Sequence, residues 1–87
     1  MDFRWNQWNE EHMAAHGVQL EVAEEIIRAA RAPFPLARSD EKDLVWGPTD
    51  RERLLQVVFL VDEDDSIFVI HARPLTGKEK KRYRRMR

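Results

Sequence analysis

The spacing of apolar residues changes character at Pro33 and Pro35. Before the prolines the period is helical. Leu20, Ala23, Ile26, Ile27 and Ala30 recur at three and four, with Glu21, Glu24, Glu25, Arg28 and Arg31 between them. That pattern predicts an amphipathic helix starting at Gln19 or Glu21 and ended by the two prolines. Upstream, Trp5, Trp8, His12, Ala15 and His16 also follow helical spacing, which predicts a helix capped by Asn6 and stopped by Gly17, its aromatic face against a sheet. Phe3 and Trp5, alternating with Asp2 and Arg4, read as a short edge strand.

After the prolines the period becomes that of strands. Leu36 to Arg38 and Leu44 to Trp46 are short strand candidates, separated by the turn residues Ser39 to Lys42. Gly47-Pro48-Thr49-Asp50 closes the second. Leu54 to Val61 is a continuous β-rich run, Asp62 to Ser66 a polar hairpin loop, and Ile67 to Arg73 the returning strand. Thr76, with Glu79 three residues on, is a capping-box pattern for a last helix. The expected fold is a single α+β domain over residues 1–87. It has an antiparallel β-meander with two N-terminal helices on one face and a basic C-terminal helix.

Charge alters this picture. The net of −1 conceals a body of net −7 over residues 1–77 and a tail of net +6 over residues 78–87. Such asymmetry fits a polyanion-binding tail, an internal clamp onto the acidic body, a surface for an acidic partner, or simply a solvated helix end. The chain has no cysteine, so disulfides and thiolate metal sites are excluded. Its first residues lack a basic and an apolar signal segment, and its longest apolar run, Val57 to Val61, is too short to span a bilayer. The expectation is a cytoplasmic protein with no membrane contact.

Pairing Val61 near Ile67 places Val57 opposite His71 and Leu55 opposite Arg73, with Arg53 just beyond. Regular alternation sends Ile67, Val69, His71 and Arg73 to one face and Phe68, Ile70 and Ala72 to the other. Arg53, His71, Arg73 and the end-of-strand Trp46 are then expected neighbours. Such a set can cleave RNA without a metal. His71 transfers a proton, Arg53 and Arg73 hold phosphate oxygens, and Trp46 or Tyr83 stacks on a base. Lys78, Arg82 and Tyr83 of the last helix fit nucleic-acid contact. The bland reading pairs each arginine with a nearby carboxylate.

His12 and His16 stand one helical turn apart, a spacing compatible with zinc, but they lack an intervening Glu and a third ligand, so no metal and no cofactor is expected. Both remain further candidates for proton transfer. No Gly-rich phosphate loop, Ser/His/Asp grouping or helix-turn-helix pattern is visible.

The ordered set Phe3-x-Trp5-Asn6, His12-x-x-x-His16-Gly17-Val18, Glu24-Glu25, Trp46-Gly47-x-Thr49, Arg53-Leu54-Leu55 and Ala72-Arg73-Pro74-x-Thr76-x-x-Glu79-x-x-x-Tyr83 resembles the BrnT family. These are ribonuclease toxins of bacterial type II toxin–antitoxin pairs, with a RelE-like fold. The resemblance implies RNA cleavage that inhibits translation, and neutralisation by a ribbon-helix-helix antitoxin through which any DNA contact is made. By position it assigns the family's functional arginines to Arg53 and Arg73. Two departures stand out: Glu52 where the family often has Gly, and His71 where it often has Ser. A non-catalytic RNA- or protein-binding domain of the same fold is the alternative.

Overall fold

A computed structural model describes residues 1–86. The chain runs β1 (Phe3–Arg4), α1 (Gln7–Ala14), α2 (Leu20–Arg28), β2 (Leu36–Ala37), β3 (Asp43–Pro48), β4 (Leu54–Val61), β5 (Ile67–Pro74) and α3 (Gly77–Arg85). The five strands form one sheet in the order β1-β5-β4-β3-β2.

From β2 to β5 the strands are antiparallel, as hairpin connections require. β1 breaks the expected meander. It enters beside β5 in the same direction, pairing Phe3 with Ile67 and Arg4 with Phe68, so the sheet is mixed. The connection from β1 to β5 spans both helices and three strands, which frees the N-terminal strand from hairpin geometry and allows parallel entry at the open edge.

The core lies between the first two helices and one face of the sheet. Met13, Val18, Ala23, Ile26 and Ile27 pack against Val45, Leu55, Val57, Phe59, Ile67, Val69 and Ala72. At Gly47 a Cβ would come within 3.2 Å of the Ile26 side chain, so a glycine lets α2 lie close on β3. The apolar stripe of α2 matches its predicted face, and Gln19 stands at the N-cap position without a side-chain bond to the helix.

α1 departs from expectation. Asn6 does cap it, in a reciprocal box with Asn9, but the buried residues are Asn9 and Met13. Trp8 keeps 47% of its surface exposed, and His12, Ala15 and His16 also face solvent. The helix has only eight residues, and a polar side chain docks it. Asn9 Nδ2 donates to the carbonyls of Arg4 and Val69, both at 3.0 Å, joining β1, α1 and β5. α3 begins at the predicted Thr76–Glu79 box and buries none of its side chains.

Candidate functional site

A bulge in β5 decides which side chains share a face. Val61 pairs with Ile67, Leu60 with Phe68 and Phe59 with Val69, in the expected register. The ladder then slips between Phe59 and Val58, so that His71, not Ile70, pairs with Val58, Ala72 with Val57 and Arg73 with Gln56. Ile70 is the extra residue. The two-residue alternation is therefore reset within β5. Ile67, Val69 and Ala72 point into the core, while Phe68, His71 and Arg73 project from the opposite face with Gln56, Val58 and Leu60. The expected grouping of His71 and Arg73 with Ile67 and Val69 is corrected accordingly. Had the strand stayed regular, an imidazole and a guanidinium would have entered the core, at a desolvation cost of several kcal/mol, or roughly that order.

On this second face two cross-strand rows can be followed. One runs Leu36, Leu44, Val58, His71, and the next runs Trp46, Gln56, Arg73. His71 is partly buried over the fully buried Val58. Its pKa is held below 6.5, first by burial, then by the positive charges of Arg73 and Arg38 and by His16 and His12. The imidazole is thus neutral at pH 7; of the two arginines that act on it by charge, Arg38 is itself paired with Asp40 at 3.0 Å. Arg38 follows β2 and was not singled out from sequence. Its sequence signal is the alternation Leu36-x-Arg38, which places it on the face of Leu36.

Arg73 is already engaged. Its Nη1 and Nη2 donate to the two carboxylate oxygens of Glu79 at 2.7 and 2.9 Å, and Nη1 also donates to the Pro74 carbonyl at 3.0 Å. This end-on pairing leaves the Nε–H and the outer Nη2–H, the side-on fork of the guanidinium, without a partner among the described residues. Such a fork matches two oxygens of a phosphate. Glu79 also accepts from the Thr76 amide at 2.8 Å, so one carboxylate caps α3 and orients Arg73. These bonds, that to Arg73 foremost, hold its pKa down to about 2 from 4.5.

A stability effect follows from the sign of that shift. A depressed carboxylate stabilises the fold above pH 4.5, and the contribution disappears as pH falls from 4.5 towards 2. Glu79→Gln is expected to cost about 1–2 kcal/mol at pH 7 after allowance for solvent screening. In urea unfolding, wild type and variant should converge as pH falls to about 2. Equal stability at pH 7 would show that the pair does not anchor α3.

The other expected site residues are dispersed. Arg53 lines a recess of about 290 Å³ with Gly17, Val18, Gln19 and Val22, where α1 gives way to α2. It is therefore separated from the face that carries His71 and Arg73. Glu52 beside it has φ 62°, a left-handed conformation that glycine adopts without penalty. The glutamate is thus a backbone misfit more than a charge beside a phosphate.

Trp46 is only 7% exposed. Its indole donates to Gln56 Oε1 at 2.9 Å. Phe34 lies against its ring at 5.7 Å and the Arg82 guanidinium at 5.9 Å, so it offers no open stacking surface. Tyr83 meets Phe34 at 6.2 Å, and Lys78 is exposed on α3. His12 Nδ1 is 2.7 Å from the Trp8 carbonyl, which turns Nε2 outward. Among the described residues, no third His, Cys, Asp or Glu joins His12 and His16 in a group able to hold a metal. No helix among them is long and apolar enough to cross a membrane.

No protein-family model matches the chain, and no curated protein matches it.

Proposed function

We propose that the chain is a ribonuclease of the BrnT-like toxin type, acting without a metal in the bacterial cytoplasm. The observation that carries this reading is His71, neutral at pH 7, on the face away from the helical core beside Arg73, with the Asp40-paired Arg38 adding positive charge from further along the same face. Neutral imidazole can take the proton of an RNA 2′-hydroxyl. The 2′-oxygen then attacks the adjacent phosphorus, the bond to the 5′-oxygen breaks, and a 2′,3′-cyclic phosphate forms. A histidine of the α1 pair, His12 or His16, supplies the proton to the leaving 5′-oxygen. Arg38 and the side-on fork of Arg73 stabilise charge on the phosphoryl oxygens. The basic α3, with Lys78 and Arg82, steers RNA or receives a ribbon-helix-helix antitoxin, which would also carry any DNA contact.

The second reading is a non-catalytic RNA- or protein-binding domain. The Arg73–Glu79 pair favours it, since an arginine clamped by a carboxylate at 2.7 Å fulfils a structural role by itself. Induced expression and cleavage of RNA by the purified chain in excess chelator separate the two. The enzyme reading expects growth arrest and cyclic-phosphate ends, both weakened by Arg38→Gln. A folded wild type that neither arrests growth nor cuts RNA leaves the binding domain.

A further inference from the structure

Phe68 and His71 share a face because of the bulge, and three groups, Arg4, Trp8 and His12, build a stack around Phe68. The Arg4 guanidinium lies 4.6 Å over the Phe68 ring. The Trp8 ring stands 6.0 Å from Phe68 at 23°, and the His12 ring is 3.9 Å from Trp8 at 33°. The indoles of Trp5 and Trp46 are anchored by hydrogen bonds to Glu24 and Gln56, whereas the Trp8 indole has none among the described residues and the residue stays 47% exposed. An exposed indole costs solubility and contributes little to a core that Asn9 and Met13 already anchor. Its exposed part is open to a ligand.

We infer that Trp8, supported by Phe68 and His12, is a stacking platform for an unpaired base of single-stranded RNA, one nucleotide removed from the scissile phosphate. Phe68 opposes Leu60 and His71 opposes Val58, two residues apart on the same face of β4, which separates them by about 7 Å along the strand. That is close to the rise between successive phosphates of an extended strand, so a strand with a base held on the rings stacked over Phe68 runs past His71 and Arg73. The cationic group beside this path is the side-on fork of Arg73, whose end-on edge is held by Glu79, while the Arg38 guanidinium is paired with Asp40 at 3.0 Å. A protein partner is less well served: the exposed neighbours of Trp8 on α1 are Gln7, Glu11 and His12, with no aliphatic residue among them to extend an apolar contact. A duplex is also disfavoured, because its bases present no open face.

The platform deepens the ribonuclease reading but is tested by binding alone. A 2′-O-methyl uridine octamer, which cannot be cut, is titrated into the full chain while the three indole N–H signals and the imidazole signals are followed by NMR. The Trp8 and His12 signals are expected to move upfield and those of Trp5 and Trp46 to stay. Trp8→Ala is expected to weaken binding about tenfold and Trp8→Phe far less, in keeping with base–aromatic stacking. The same sequence in a duplex is expected to bind much more weakly. Binding with the Trp8 signal unmoved, equal affinity in Trp8→Ala, or no binding at all overturns the platform; in the last case Trp8 marks a protein contact. Octamer binding through Trp8 without cleavage of an ordinary RNA sinks the enzyme reading and leaves the platform standing.

Discussion

His71→Ala is expected to reduce RNA cleavage by about 10²- to 10⁴-fold, the usual contribution of a positioned proton-transfer group. The fold should survive, since His71 is only partly buried and makes no hydrogen bond to another described residue. Circular dichroism and urea unfolding should place the variant within about 1 kcal/mol of wild type. The pH profile carries the sharper test. Burial first, and the charges of Arg73 and Arg38 next, disfavour the imidazolium, so the acid limb of kcat/KM should fall below 6.5. Arg38→Gln removes one of those charges and should move the limb upward while lowering the rate. For stability the sign is the same: below pH 6.5 the unfolded chain takes up a proton that the native His71 resists, so acid costs a little stability. An acid limb at or above 6.5, or full activity in His71→Ala, would remove this residue from the chemistry.

The elements that local chemistry specifies were legible in the sequence. Asn6 and Thr76 start helices because their side chains satisfy free amides, whereas α2 stops at Arg28, short of the prolines expected to end it, and leaves Ala30 outside the helix. The strands β3, β4 and β5 follow from apolar, β-branched runs. The bulge is different. Four consecutive apolar residues, Ile67 to Ile70, look the same on either phase of alternation, so nothing within them reveals an inserted residue. The signal lies further on. Ile67, Val69 and Ala72 can share a core only if the phase slips once between Val69 and Ala72, and the polarity of His71 and Arg73 requires that slip.

Strand pairing alone places Arg53 at the end of the sheet with Arg73, whereas the structure puts it over the junction of α1 and α2. Arg38 belongs to the electrostatic surroundings of His71 through a four-strand row that only the sheet order reveals. Trp8 has the spacing of a buried face yet stays exposed. An eight-residue helix docked through Asn9 and Met13 has room for only a narrow buried face.

That dependence on one polar side chain makes Asn9→Ala the substitution with the largest expected effect on folding. Asn9 is fully buried and uses its amide completely: Nδ2 donates to Arg4 and Val69, and Oδ1 accepts from the Asn6 amide at 2.7 Å. Alanine leaves two carbonyls and an amide short of partners at the meeting of β1, α1 and β5. The expected loss is about 2–4 kcal/mol, since each stranded buried group costs about 1–3 kcal/mol and some regain water. In a chain this small that lowers the melting temperature by roughly 10–20 °C. Asn9→Asp keeps the shape and the acceptor but sets a carboxylate against two carbonyl oxygens, so near neutral pH it should be at least as damaging. Because α1 carries Trp8 and His12, any folded fraction of either variant should also bind the octamer more weakly than wild type. If Asn9→Ala costs less than about 1 kcal/mol, α1 is held by Met13 and its apolar contacts instead, and the position of Trp8 beside Phe68 is a consequence of packing, not of this amide.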